Sequence, residues 1–114
     1  MRSVPGWGGQ EYIFDVVDFR TKDKARVLAD IETMTTRRFT VAREMLRKYS
    51  PDFFMMVEMG SDRIHHGFWH YMDPNHRKYE PGPLSEAIHD YYLQLDRELA
   101  QLFDSINFDD TSVL

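Results

Sequence analysis

Residues 52–60, DFFMMVEMG, form the most apolar run of the sequence. The fold class predicted from the sequence rests on this run. Six of these nine residues are apolar, and no polar residue alternates with them. This pattern is typical of a strand that is buried on both faces, as in a parallel sheet flanked by helices. Pro51 is expected to separate the strand from what precedes it, and Gly60 to end it.

The sequence between residues 21 and 50 predicts helix, because apolar residues recur there at helical spacing. Three threonines, Thr33, Thr35 and Thr36, favour a break between two helices, since threonine is a mediocre helix former and a good N-cap. The basic residues of this region are interleaved with apolar positions and are interpreted as a solvated helix face rather than a phosphate-binding patch. They are Arg37, Arg38, Arg43, Arg47 and Lys48.

The two ends of the chain predict further elements. Residues 1–10 contain three glycines and a proline and are expected to form an irregular lead-in, and residues 11–114 are expected to form part of one domain. Residues 11–19, EYIFDVVDF, mix β-branched and aromatic residues and suit a strand. Residues 109–114, DDTSVL, look like the beginning of another buried strand.

The region after residue 72 predicts a loop and then the clearest helix of the chain. Residues 73–85 contain three prolines and a glycine, which is typical of a loop. Residues 84–106 trace one apolar stripe that includes Tyr91, Tyr92 and the leucines that follow. The opposite, solvent-facing side consists of Asp90, Asp96, Arg97 and Glu98. Strands alternating with helices predict an α/β fold with a partial, mostly parallel sheet and flanking helices.

Composition excludes several classes of function. The 114 residues suffice for one domain, and a net charge of −5 gives no electrostatic reason to bind nucleic acid. The sequence has no cysteine, so any metal must be held by His, Asp or Glu. No apolar run approaches the ~20 residues that span a bilayer, and the first residues do not resemble a signal peptide. The sequence therefore predicts no membrane partner and a cytoplasmic location.

Histidines concentrate directly after the predicted strand, where sites form in open α/β sheets. Four of the five histidines, His65, His66, His70 and His76, lie in residues 58–76. Such a run is compatible with a metal site, a pH-sensitive surface, or an aromatic and polar patch without special chemistry. His65 and His76 are weaker candidates as ligands, and His89 is expected to be exposed or to cap its helix.

A helix over residues 62–70 would place Asp62, His66 and His70 on one face. All three cannot hold one ion, because eight residues at ~1.5 Å rise separate Asp62 from His70 by about 12 Å. Asp62 with His66, or His66 with His70, can do so with ligands from elsewhere. A carboxylate and a neutral imidazole together suit zinc, manganese or iron(II).

Two longer stretches resemble the alkaline phosphatase superfamily, and most of all its type I phosphodiesterase/nucleotide pyrophosphatase branch. They are DFFMMVEMGSDRIHHGFWHYMDPNHRKYEPG, residues 52–82, and DYYLQLDRELAQLFDSINFDDTSVL, residues 90–114. Members of that branch carry a Ser/Thr-Asp-Arg-x-x-His segment after a buried strand, then a Phe-Trp pair, an Asp-Pro-x-His loop and a Tyr-rich helix. The similarity runs from about residue 11 to the end of the chain.

The resemblance implies a phosphate-ester substrate and hydrolysis with two divalent metal ions per complete site. Asp62 and His66 match the family's Asp and His that ligate one of these ions, which selects this pair over His66 with His70. The nucleophile, the Ser-Asp-His-Gly motif of the second metal and a later ligating His have no counterpart here. The chain is therefore expected to be an internal fragment of an alkaline-phosphatase-like domain and inactive alone. A self-associating or protein-interaction module without catalysis is the alternative.

Overall fold

The computed structural model describes residues 2–5 and 11–114, and side-chain positions from Tyr12 onward. It contains two short strands followed by three helices: β1 (Arg2–Pro5), β2 (Glu11–Asp15), α1 (Lys24–Tyr49), α2 (Gly60–Met72) and α3 (Ala87–Asp104). None of the helices in the described part of the chain is long and apolar enough to cross a bilayer.

The two strands form an antiparallel pair rather than part of a parallel sheet. Ser3 lies opposite Ile13 and Pro5 opposite Glu11, with an irregular step between Arg2 and Ser3. β1 falls in the lead-in that was predicted to be irregular, while Met1 and residues 6–10 lie outside the described residues. β2 confirms the predicted strand at residues 11–19, although it ends at Asp15. The mostly parallel sheet is not found in residues 2–5 and 11–114.

α1 is a single helix, so the predicted break at its threonines is wrong. Asp23 caps the first turn by accepting a hydrogen bond from the backbone N–H of Arg26, and the chain leaves the helix at Ser50 in a left-handed conformation. Thr35 stays helical because its side chain is buried and hydrogen-bonds with Tyr91 of α3 at 3.0 Å. The tertiary contact outweighs the modest helix propensity of threonine.

Residues 52–59 do not form the predicted buried strand. The segment lies along α1 in irregular structure and ends at Gly60, where α2 begins. Every second side chain faces solvent, since Phe53, Met55 and Val57 are 81%, 75% and 64% exposed. The side chains between them, Phe54 and Met56, pack on the core. The prediction failed because an apolar run does not reveal whether a neighbouring strand exists to cover its second face.

Two clusters of apolar side chains hold the helices together. The larger cluster joins β2 and the first half of α1 to α2 and the start of α3: Ile13, Val16, Val27, Ile31, Met34, Ile64, Phe68, Tyr71, Ala87, Ile88 and Tyr91. The smaller cluster joins the second half of α1 to the end of α3 through Phe39, Ala42 and Leu102. α1 and α3 therefore both contact the two clusters.

α3 confirms the predicted amphipathic helix, with two corrections to its faces. Tyr92, predicted on the apolar stripe, is exposed, whereas Glu98, predicted on the solvent side, is buried. Glu98 tolerates burial because its carboxylate lies 2.8 Å from Nη1 of Arg43 on α1. Arg38 is buried too, so the basic residues of α1 do not form one solvated face.

The loop predicted at residues 73–85 is confirmed, with hydrogen-bonded turns that include His76 N–H to the carbonyl of Asp73. The strand predicted at residues 109–114 is not found, because these residues are exposed and lie beside no other strand of the described chain. α3 ends at Asp104 rather than at residue 106.

Candidate metal centre

α2 carries the histidine-rich segment, so residues 62–70 meet the condition under which Asp62, His66 and His70 share one face. Its inner side, formed by Ile64, Gly67, Phe68 and Tyr71, is buried against α1, β2 and α3. The first turn begins where Gly60 donates its backbone N–H to Oε1 of Glu58 at 2.7 Å. This carboxylate satisfies one of the free N–H groups at the helix start and complements the helix dipole.

Asp62 and His66 face each other across one turn of α2. Oδ1 of Asp62 lies 3.4 Å from Nε2 of His66, and both side chains are about half exposed to solvent. Two ligand atoms at about 2.0–2.1 Å from a tetrahedral zinc ion are themselves roughly 3.4 Å apart. The spacing of this carboxylate oxygen and this imidazole nitrogen therefore fits a shared divalent ion.

The second oxygen of Asp62 is held by its neighbour Arg63. Nη1 of Arg63 lies 2.6 Å from Oδ2 of Asp62. The opposite side of the same guanidinium binds Asp15 at the end of β2, with Nε to Oδ1 and Nη2 to Oδ2 both at 2.7 Å. The hydrogen bond to Asp15 is the main reason that the pKa of Arg63 is raised above its ordinary value. Asp15, Arg63 and Asp62 thus form a continuous row of charged groups that ends beside His66.

The ring of Phe19 covers this row of charged groups on one side. Its ring centroid lies 4.8 Å from the Cζ atom of Arg63 and 6.1 Å from the ring of His66. Lys24 donates from Nζ to the carbonyl oxygen of Phe19 at 3.2 Å, and burial lowers its pKa below the ordinary value. The segment between β2 and α1 therefore forms the wall next to the candidate ligands.

The other histidines are not brought to this pair. His65 turns towards α3, where its Nε2 atom lies 3.1 Å from the hydroxyl of Tyr92 and its ring contacts Trp69 edge-on. His70 stacks near Tyr71, with ring centroids 4.0 Å apart. His76 accepts a hydrogen bond at Nδ1 from the backbone N–H of Lys78.

His89 on α3 is exposed, as expected, and lies 3.5 Å from Asp90. Burial, together with the charge of Lys24, lowers the pKa of His70 below its ordinary value of 6.5.

A buried polar node lies below the start of α2. The side chains of Thr35 and Tyr91 both reach Oε1 of Glu58, at 3.1 and 3.4 Å, and contact each other at 3.0 Å. Burial raises the pKa of the Tyr91 hydroxyl well above its ordinary range. The node joins α1 and α3 to the segment that leads into α2, so it sets where the turn bearing Asp62 begins.

Two candidate ligands, Asp62 and His66, face each other, but they do not make a full coordination shell. Among residues 2–5 and 11–114, no group of three or more His, Asp or Glu side chains could hold one ion. An open groove of about 620 Å³ between α1 and α3 is lined by charged and amide side chains, and neither Asp62 nor His66 lines it. Water or ligands from outside this part of the chain must complete a shell around Asp62 and His66.

Asp15 and Arg63 were not predicted as site residues from the sequence. They are 48 positions apart, and no periodic pattern links a strand end to a helix that follows so much later. One local signal existed for Arg63, because it stands between the two candidate ligands in SDRIHH, residues 61–66. No such signal marked Asp15.

A family model described as type I phosphodiesterase / nucleotide pyrophosphatase matches residues 2–114 of the chain. The matched region includes Asp62, His66, Asp15 and Arg63. A search of curated proteins gave no match. A search of solved structures gave none either.

Proposed function

The chain belongs to the type I phosphodiesterase / nucleotide pyrophosphatase family, within the alkaline phosphatase superfamily, and we propose that it carries part of a divalent-metal site of a phosphohydrolase. In this proposal Asp62 and His66 are two ligands of one ion. The 3.4 Å separation of their facing donor atoms is the observation that carries the proposal. Phosphodiesters, nucleotide pyrophosphates and phosphomonoesters are the substrate classes that the family suggests.

Each residue around the pair has a separate role in this proposal. Oδ1 of Asp62 and Nε2 of His66 bind the ion, while Arg63 holds Oδ2 of Asp62 and prevents the carboxylate from rotating. His66 must be neutral to act as a ligand, so binding should weaken as the solution becomes acidic. When bound, a zinc or manganese ion polarises a phosphoryl oxygen and stabilises the charge that develops during displacement at phosphorus.

Metal titration of the whole chain tests the proposal. We expect Zn²⁺ and Mn²⁺ to bind weakly at about pH 7.5, where an ordinary imidazole is neutral. Asp62→Asn and His66→Gln should each abolish measurable binding in isothermal titration, because each removes one of the two protein ligands.

His89→Gln is the matched control for this titration. His89 is exposed on α3 and lies beside Asp90, so it has the same kinds of neighbouring groups without the facing geometry of Asp62 and His66. The metal assignment fails if wild-type protein binds neither ion, or if His89→Gln lowers affinity as much as His66→Gln.

We further propose that these 114 residues do not hydrolyse phosphodiesters on their own. Phosphoryl transfer depends on several charged groups placed around one phosphorus atom, and Asp62 with His66 supply only a fraction of them. An activated aryl phosphodiester should therefore be hydrolysed no faster with the protein than without it. Turnover that disappears in Asp62→Ala would refute this part of the proposal.

Self-association is the second candidate function, and residues 52–58 favour it. Among the described residues, this segment makes no backbone-to-backbone hydrogen bond, although Arg38 donates to the carbonyl oxygen of Val57. Phe53, Met55 and Val57 form an exposed apolar row along it. Unpaired backbone groups beside exposed apolar side chains favour pairing with another chain. A second copy of this chain presents the same row.

Sedimentation analysis over a range of concentrations tests this second function. Met55→Lys should shift any dimer towards monomer, because a charge in the middle of the row opposes pairing. Leu93→Lys, at an exposed position on α3, should leave the association unchanged. A wild-type protein that stays monomeric at the highest concentration would exclude self-association through this row.

A further inference from the structure

The side chain of Asp15 is fixed at the end of β2 by bonds on both of its oxygens. Oδ1 accepts hydrogen bonds from the backbone N–H of Val16 at 2.8 Å and from Nε of Arg63 at 2.7 Å. Oδ2 accepts from Nη2 of Arg63, also at 2.7 Å. Two parallel bonds between guanidinium and carboxylate define both the position and the plane of Arg63.

With Arg63 bound to Asp15, its contact with Asp62 is a single hydrogen bond. Asp15 occupies the Nε and Nη2 edge of the guanidinium, and Asp62 receives one bond, from Nη1 to Oδ2. Its other oxygen, Oδ1, stays directed at Nε2 of His66. An arginine without a second carboxylate commonly binds both oxygens of its partner.

The charges of Asp15, Arg63 and Asp62, like their geometry, favour a cation beside Asp62. Arg63 carries one positive charge and would by itself neutralise the attraction of Asp62 for a cation. Asp15 restores a net negative charge to the group, because two carboxylates then share one guanidinium. The Arg63 side chain is only 17% exposed and Phe19 covers it, so solvent screens these interactions incompletely.

The geometry points to Asp15 as a positioning residue that restrains Arg63 and thereby keeps Oδ1 of Asp62 available to a divalent ion. This role rests on the proposed function of Asp62 and His66 as ligands. Asp15 contacts neither the ion nor a substrate in this arrangement. It connects the strand β2 to the ligands on α2, so the site depends on a contact between distant parts of the sequence.

Removal of the Asp15 charge tests the role in the whole chain with Zn²⁺ as the probe. Asp15→Asn should weaken Zn²⁺ binding by about 10-fold to 100-fold, which is the range for groups that orient metal ligands. Asp30→Asn is the matched control, because Asp30 also pairs with an arginine, Arg26, but lies on α1. It removes the same charge and should change affinity by less than about twofold.

A double variant separates positioning from a general structural effect. If Asp15 acts by restraining Arg63, the variant Asp15→Asn/Arg63→Gln should recover part of the lost affinity, because no arginine remains to bind both oxygens of Asp62, although the bond that holds Oδ2 is lost as well. A merely structural Asp15 gives no such recovery. Loss of affinity in Asp15→Asn without recovery in the double variant therefore overturns the inference, as does unchanged affinity in Asp15→Asn.

A measurement without metal keeps the inference testable if the ligand assignment is wrong. The nuclear Overhauser effect between the His66 ring protons and the Asp62 β-protons reports the side-chain rotamers in which the two groups face each other. Asp15→Asn should weaken this signal, Asp30→Asn should preserve it, and the double variant should restore it in part. Absence of Zn²⁺ binding by the wild-type chain would overturn the metal assignment alone, while an Overhauser effect that persists in Asp15→Asn would overturn the positioning role.

Discussion

Nη1 of Arg38 donates a 2.9 Å hydrogen bond to the carbonyl oxygen of Val57, across the gap between α1 and the segment that leads into α2. The same guanidinium donates from Nη2 to the carbonyl oxygens of Ile13 and Phe14 in β2, and from Nε to the hydroxyl of Tyr12. A buried cation thus joins β2 and residues 52–59, which lack direct strand pairing with each other. Neutral backbone oxygens make up most of its partners.

Replacement of Arg38 should destabilise the protein substantially. Arg38→Met keeps much of the apolar stem but leaves the carbonyl oxygens of Ile13, Phe14 and Val57 without their donor. Each buried group left unpaired costs about 1–3 kcal/mol, and partial hydration reduces the sum, so we expect about 2–4 kcal/mol. Urea unfolding followed by circular dichroism measures this loss.

Arg47→Met provides the comparison for Arg38→Met. The Arg47 side chain is 71% exposed and pairs with Glu44 on the surface of α1. Exposed pairs of this kind contribute about 0–1 kcal/mol. Equal losses of stability in the two variants would show that the buried network around Arg38 contributes nothing specific.

The role of Arg38 illustrates what the sequence could and could not indicate. Helical periodicity placed it correctly on a helix, because spacing of apolar residues is a local property. Its burial depends on carbonyl oxygens of Ile13 and Val57, which lie in other elements and carry no side-chain signal. The same limit applies to Glu98, whose burial depends on Arg43 more than fifty residues away.

A residue larger than glycine at position 60 should lower the stability of the protein. A Cβ atom there would lie 2.5 Å from Oγ1 of Thr35 and would also overlap the hydroxyl of Tyr91. The start of α2 must then shift, and we expect Gly60→Ala to cost about 1–3 kcal/mol as overpacking does. Thermal unfolding by calorimetry measures the change.

Gly67→Ala is the natural control for Gly60→Ala, since both lie in α2. A Cβ atom at Gly67 would be 3.4 Å from the carbonyl oxygen of Phe19, an ordinary contact distance. Alanine is the better helix former by about 1 kcal/mol, so this variant should be neutral or more stable. A larger loss at Gly67 than at Gly60 would contradict the close packing described around Glu58.

Thr35 and Tyr91 should be energetically coupled through Glu58. Thr35→Val and Tyr91→Phe each remove one hydroxyl from the node, and each should cost about 1 kcal/mol. The double variant should cost less than the sum, because each single change already leaves the other hydroxyl with fewer partners. A double-mutant cycle by urea unfolding measures this coupling, and strict additivity would mean that the hydroxyls act independently.

His70 should make the protein less stable as the pH falls. Burial and Lys24 lower the pKa of His70, with smaller effects from His76 and Lys78, while Glu80 opposes them. The unfolded chain therefore binds a proton at a higher pH than the folded protein does. Above about pH 6.5 the residue is neutral in both states, and stability is lost as the pH falls from there through the folded pKa.

Urea unfolding at several pH values measures the contribution of His70. His70→Gln should flatten the dependence of stability on pH below about pH 6.5, because the replacement does not titrate. His89→Gln controls for the substitution itself, since that side chain is exposed. An identical pH profile for wild-type protein and His70→Gln would contradict this expectation.

The candidate ligands were more accessible to sequence reasoning than the sheet was. Asp62 and His66 are four positions apart, and a helix brings such residues onto one face without help from the rest of the chain. The structure places these two side chains together, and their role as ligands remains a prediction. The parallel sheet required partners for residues 52–59, and pairing partners are set by contacts that the run DFFMMVEMG does not encode.

α1 links two apolar clusters that share few side chains, and this division has a consequence for local opening of the fold. The cluster around Phe39 and Leu102 packs the end of α3 against the second half of α1, whereas Ile64 and Phe68 support the turn that bears His66. Fraying at the end of α3 need not disturb the turn that bears His66, because each cluster retains its own buried contacts. Amide hydrogens near Leu102 should thus exchange with solvent sooner than those near Phe68, and the arrangement of Asp62 and His66 should outlast the loss of the last turns of α3.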